Sequence, residues 1–214
     1  MRSASDDLTT KARIRDAAIL AIGRSGFAAT TVRSIAADVG VSPALLLHHF
    51  GSKDGLRQAC DDHVLAWYAA QVAEFGADGS PGTMLSMLDR TPELLPFADY
   101  VRRSLTDGGA FAQRMFDALV QDTVDYLDRA EAAGRVRPTE DQRGRALTMI
   151  VTSVGAQVLA TYLTPPDTPP ELLARAASDR LLGPGLELYT HGLFTDSEYL
   201  DAYRRYRGET DQPS

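Results

Sequence analysis

The stretch Ala-Ala-Asp-Val-Gly-Val-Ser-Pro at residues 36–43 constrains this chain more than any other. A helix that meets Gly40 ends there, because glycine takes the positive φ of a left-handed cap without steric cost. Ser42 followed by Pro43 then starts a new helix. The serine hydroxyl accepts an early backbone N–H, and the fixed φ of proline suits the first helical position. A short helix at about 32–39, capped by Thr30 or Thr31, is therefore joined by a tight turn to another at about 43–50, and the two must cross steeply.

The apolar residues say which sides face inward. Ile35 with Val39, and Leu46 with Phe50, are i,i+4 pairs that point toward a common core. A preceding helix at 9–25 supplies the other wall with Ile14, Ala17, Ala18, Ala21 and Ile22. Thr9 and Thr10 are its candidate caps, and Gly26 is placed as its left-handed C-cap. Ala36 is small where the crossing helices meet, and Val41 fills the corner. Ala44, Leu45, Leu47 and His48 are left on the outer face, with His49 at its flank. Two leucines facing water are unfavourable. Contact with thymine methyls or deoxyribose in a major groove would remove that cost. The hydroxyls of Thr30, Thr31 and Ser42, the charges of Arg33 and Lys53, and the N–H groups at the helix starts are the candidate phosphate ligands. The predicted partner is double-stranded DNA, read by a helix at about Pro43 to Phe50.

The charge distribution points the same way. Residues 1–57 carry eight basic against five acidic side chains, +3 in balance, within a chain of net charge -7, so the remainder carries -10. Phosphate repels an acidic body, which orients the basic head toward the duplex. Cys60 is the only cysteine, so no intramolecular disulfide forms. No signal-peptide pattern opens the sequence, and the apolar stretch 146–163 is interrupted by Thr148, Thr152, Ser153, Gly155, Gln157 and Thr161. A cytoplasmic protein without a membrane span is expected.

Beyond residue 52 the pattern stays helical, and the fold class is all-α. Ser52 can cap a long helix to about residue 75, and a linker follows at 76–82. Further helices are predicted at about 83–90, 92–106, 109–133, 139–163, 170–182 or beyond, and 195–206, separated by Pro and Gly. The helix at 139–163 is apolar over more of its circumference than internal packing needs. Ile150, Val151, Val154, Val158, Leu159 and Tyr162, with Leu181 and Leu186 from the segment 172–188, are the expected interface of a homodimer.

From about residue 9 to 57 the sequence resembles the tetracycline-repressor family of bacterial regulators. The resemblance is carried by Ala-Thr-Thr-Val-Arg-Ser-Ile-Ala-Ala-Asp-Val-Gly-Val-Ser and by His-His-Phe-Gly-Ser-Lys-Asp-Gly-Leu. It implies an all-helical dimer whose third helix reads DNA, whose later helices enclose a small-molecule pocket, and whose last two long helices form a four-helix interface. It places Thr31, Arg33, Ser42, Pro43, Ala44, His48, His49 and Lys53 on DNA-facing positions. The tyrosine usual in the family is Leu47 here, which removes a phosphate hydrogen bond. The implied division is a three-helix DNA-binding domain at 1–55 and a larger ligand-binding and dimerisation domain at 56–214. The resemblance also turns a set of aromatic and flexible side chains into pocket candidates for an apolar or aromatic effector: His63, Trp67, Tyr68, Gln71, Met84, Met87, Leu88, Phe97, Tyr100, Phe111, Met115, Phe116 and Leu119.

Other functions find less support. No nucleophile-base pair, phosphate-binding glycine loop or paired carboxylates stand out, so neither catalysis nor a cofactor is expected. His48 and His49 point about 100° apart on a helix and lack a Cys or acidic partner, so no metal site is expected. Cys60 without a resolving thiol is better suited to apolar filling than to redox sensing. A helical adaptor that binds protein would show no salt-dependent affinity for duplex DNA.

Overall fold

The computed structural model describes residues 4–75 and 91–208, and among these all regular structure is helical. The helices are α1 (Ala4–Ala29), α2 (Val32–Val39), α3 (Pro43–Phe50), α4 (Lys53–Phe75), α5 (Thr91–Asp107), α6 (Ala110–Ala132), α7 (Gln142–Val158), α8 (Ala160–Leu163), α9 (Pro170–His191) and α10 (Glu198–Arg207). The linker and helix predicted at 76–90 lie outside the described residues.

The boundaries of α2 and α3 fall where the sequence predicts them. Thr31 Oγ1 accepts from the Ser34 N–H at 3.0 Å, and the Thr31 N–H donates back to Ser34 Oγ at 3.2 Å, a reciprocal cap. At the far end Gly40 has φ 74°, and its N–H and that of Val41 donate to the Ala37 and Ala36 carbonyls. A Cβ at Gly40 would meet nothing within 4 Å, so its dihedral angle, not space, demands glycine. Ser42 Oγ accepts from the Leu45 N–H at 3.1 Å with Pro43 in the first turn.

The first helix departs from expectation at both ends. It starts at Ala4, so Thr9 and Thr10 lie inside it instead of capping it. Gly26 is not a left-handed cap either. At φ 81°, ψ 162° it kinks the chain, and one more helical turn follows.

By compactness the chain divides into residues 1–159 and 160–214. In the first unit one buried cluster unites the head with α4, α5 and α6: Ile14, Ala18, Ile22, Ile35 and Leu46 share it with Leu56, Val64, Tyr100, Phe111 and Met115. At Gly23 α1 meets the backbone of α5 closely, since a Cβ there would stand 3.1 Å from the Tyr100 nitrogen. Gly55 has a similar cause, since a Cβ there would collide with the Phe50 carbonyl oxygen at the α3–α4 junction. A second cluster, Val120, Leu127 and Ala146 with Phe116, Val124, Met149 and Ile150 against it, holds α6 to α7. Asp141 caps α7 by accepting the Gly144 N–H at 2.7 Å.

In the second unit, Arg180 donates to the Leu163 carbonyl oxygen at 3.1 Å, and Ala177 is buried. The predicted continuous helix at 139–163 is broken at Leu159, which has left α7 before α8 begins.

Candidate nucleic-acid interface

The third helix is held by one side. Leu46 is fully buried, Phe50 and Val41 pack partly against the same core, and the opposite side stays open. Pro43, Ala44 and His48 are exposed, and Leu47 keeps 41% of its surface accessible. Leu45 is less outward than expected. It is half-buried, with its N–H taken by Ser42. His49 is also half-buried, its ring edge-on to Phe50 at 6.2 Å. An eight-residue helix with a small and apolar outer face suits entry into a groove wide enough for a helix.

The polar fringe is placed on both flanks. Thr31 and Arg33 are exposed at the start of α2, and Ser42 is exposed at the start of α3. Thr30 must be removed from this set. It is only 4% exposed, and its hydroxyl donates to the Gly26 carbonyl oxygen at 2.8 Å. Its position after the kink makes it a clasp for the end of α1, and the Thr30 hydroxyl proton is used there.

Lys53 is half-exposed, and its Nζ lies 4.3 Å from the centroid of the Phe27 ring. The Arg57 guanidinium is over the same ring at 4.6 Å. Sequence spacing links neither Phe27 nor Arg57 to Lys53, since the ring reaches these cations past the kink at Gly26. Arg13 is another addition. Its Nη2 donates to the Val39 carbonyl oxygen at 2.9 Å, a cation on the C-terminus of α2 that stiffens the turn.

Behind the head lies a buried acid. Asp61 on α4, 6% exposed, accepts a 2.5 Å hydrogen bond from the Tyr100 hydroxyl on α5, and Arg57 Nε stands 4.0 Å away. Burial raises the Asp61 carboxyl above its usual range, against the opposing pull of Tyr100, Arg57 and Arg114. The thiol of Cys60 beside it is fully buried. Burial pushes its pKa up to about 12, which leaves no thiolate for redox chemistry.

The pocket candidates fall into two groups. Tyr100, Phe111 and Met115 are buried in the core, and Phe111 also lines a cavity of about 350 Å³ with Arg57, Asp61 and Gly109. Trp67 and Phe97 stack at 4.2 Å and 7°, with His63 5.9 Å from the same Phe97 ring. Burial holds His63 below its ordinary pKa, and Arg15 adds to the effect. Tyr68 is half-buried and hydrogen-bonded to Asp122 on α6. Burial first, then that carboxylate, raises its hydroxyl well above the usual range. Gln71 Oε1 is buried with no hydrogen-bond partner among the described residues. Leu119 packs on the core and Phe116 on the second cluster. Met84, Met87 and Leu88 lie outside the described residues.

Of the expected interface residues on α7, Val151 (55%) and Val158 are exposed, and Leu147 is exposed one turn before Val151. Val154 is half-buried on the same stripe. Ile150 packs inward on the α6–α7 cluster, so part of its surface is already used within the chain. Leu159, Tyr162, Leu181 and Leu186 are exposed.

Comparison with known proteins supplies the family context. The family of bacterial regulatory proteins of the tetR type matches residues 14–60, and the tetracyclin repressor-like C-terminal domain matches 93–195. The HTH-type transcriptional regulatory protein RaaS of Mycobacterium tuberculosis is 40% identical over 206 residues, covering 95% of this chain and 94% of that protein. Among solved structures, one concerned with the molecular basis for control of antibiotic production by bacterial hormones covers 90% of this chain and 99% of its own, with a TM-score of 0.64 and 21% identity. The full-length TylP regulator of Streptomyces fradiae covers 99% of this chain and 96% of its own, with a TM-score of 0.56 and 22% identity. At those identities the two structures speak to the fold alone.

Proposed function

The chain belongs to the tetracycline-repressor family of bacterial transcriptional regulators and is a DNA-binding regulator, and from that premise we propose that it is a repressor released from its operator by a small molecule. The division of labour follows the sequence: residues 1–55 contact DNA, and residues 56–214 bind the effector and dimerise in the cytoplasm. Two copies of α3 enter successive major grooves of double-stranded operator DNA, about 34 to 36 Å apart. Ala44, Leu45, Leu47 and His48 discriminate bases, while Thr31, Arg33, Ser42, His49 and Lys53 hold the backbone.

The observation that carries this reading is the two-sided character of α3, with Leu46 anchored in the core and Leu47 left open on the far side. A mobility-shift titration against the DNA upstream of its own coding sequence tests it. Affinity should fall steeply with salt, roughly as the number of phosphates neutralised. Millimolar, salt-insensitive affinity for every duplex would end the reading.

The effector reading rests on the C-terminal half of α4. Trp67 and Phe97 offer flat apolar surface, and the buried Gln71 Oε1 wants a donor. An apolar or aromatic molecule carrying one N–H or O–H group suits that lining. Its release of a preformed protein–duplex complex is the assay, and a Gln71→Leu variant should respond to it more weakly.

A further inference from the structure

We propose that Phe27 is a positioning residue for DNA binding, using its ring face to hold Lys53 and Arg57 where α4 leaves the recognition helix. The proposal rests on the DNA-binding reading and adds to it a residue that touches no nucleic acid. Phe27 directly follows the kink at Gly26, whose conformation is fixed from two directions. Thr30 Oγ1 clasps the Gly26 carbonyl oxygen, and Arg103 of α5 fills the space where a Cβ would be, its Nη2 2.6 Å from that position. The ring that emerges has the Lys53 Nζ at 4.3 Å and the Arg57 Cζ at 4.6 Å from its centroid.

Lys53 and Arg57 are one turn apart on α4, a spacing at which like charges repel. The negative face of an aromatic ring offsets that repulsion without neutralising either cation. Arg57 is further tied by Asp61, which is itself hydrogen-bonded to Tyr100. Lys53 has no carboxylate partner among the ion pairs of the described residues, and the ring supplies the restraint. A lysine that swings freely loses rotamer freedom when it meets phosphate. One already held over a ring loses less, so the duplex meets a preorganised cation.

Phe27 also packs on the core, so truncation alone would confuse positioning with folding. The decisive variants replace Phe27 with phenylalanines of increasing ring fluorination, which drain the ring face while nearly conserving shape. Binding of the full-length dimer to a short duplex of arbitrary sequence is read at several salt concentrations. Affinity at low salt should fall in step with fluorination, to a total of about two- to fivefold, the range of a partly exposed cation–π pair. Phe27→Trp should retain wild-type affinity. In a Lys53→Ala background the fluorine series should be flat or nearly so, the residue of the effect coming through Arg57.

Affinity independent of fluorination, or a series that survives Lys53→Ala undiminished, overturns the proposal. In the free protein, the Lys53 ε-methylene protons should show an upfield ring-current shift that Phe27→Leu abolishes. Its absence also overturns the proposal. If the shift is present and wild type binds no duplex, the contact stands but its role in DNA binding is overturned together with the DNA-binding reading, which separates the two failures.

Discussion

The head and the C-terminal unit treat their apolar side chains in opposite ways. In the head Ile14, Ile35 and Leu46 are at most 1% exposed, and the open face of α3 is left to Pro43, Ala44, Leu47 and His48. Across residues 160–208, Leu172, Leu188, Tyr189, Leu193, Phe194 and Tyr203 all remain exposed. Isolated exposed leucines are ordinary, but a whole segment of them signals surface awaiting a partner. The α7 stripe of Leu147, Val151 and Val158 belongs with this second behaviour although it lies in the first unit. The head completes its core within one chain, and the regions assigned to dimerisation do not.

The contrast is sharpest in stability. Leu46→Ala removes a fully buried side chain, so it should cost about 2–5 kcal/mol in denaturant unfolding and abolish DNA binding. Leu188→Ala should leave the unfolding of monomer nearly unchanged. Equal losses from both would break the comparison.

Association provides the next test. Val151→Glu should preserve the helical signal but weaken dimerisation by at least ~2 kcal/mol, about thirtyfold in dissociation constant by sedimentation, because a charge would be trapped in an apolar contact. An unchanged dimer would move the interface off α7.

Smaller effects probe the turn. Gly40→Ala meets open space but an unsuitable dihedral angle, and should cost about 1–2 kcal/mol of stability. Ser42→Ala loses the cap of α3 and should cost about 1 kcal/mol. Its DNA affinity should fall more than this stability loss explains if the hydroxyl also meets phosphate.

The smallest effect concerns Asp61. Burial raises its carboxyl pKa in the folded chain, so the folded state favours the protonated form. The stability linked to that proton is present below the ordinary carboxylate pKa of about 4 and is lost as pH rises through the folded value. Asp61→Asn keeps an oxygen for Tyr100 and removes the charge. Its stability relative to wild type should therefore rise with pH from about 4 up to the raised folded value and level off beyond it in thermal unfolding, and a flat difference throughout would refute the assignment.

Much of the head was legible because its signals are local. Gly40, Ser42 and Pro43 specify their turn by backbone chemistry, and Ile35 and Leu46 follow helical period. Gly26 misled because its positive φ is shared by a cap and a kink, and only the ψ angle distinguishes them. Thr30 misled for the same reason, since its hydroxyl goes to that kink. The Tyr100–Asp61 hydrogen bond joins residues 39 apart, and no pattern in either neighbourhood announces it. Tyr100, Phe111 and Met115 match the composition of a ligand pocket and of a core equally well, because both demand buried apolar side chains.

The inert thiol of Cys60 has a practical consequence. A single cysteine introduced on an exposed site of the head, such as Asp38, can be spin-labelled selectively without first deleting the native one. In a homodimer each molecule then carries two matched labels, so pulsed electron resonance would read the separation of the two heads directly, with and without effector, in an otherwise unaltered protein.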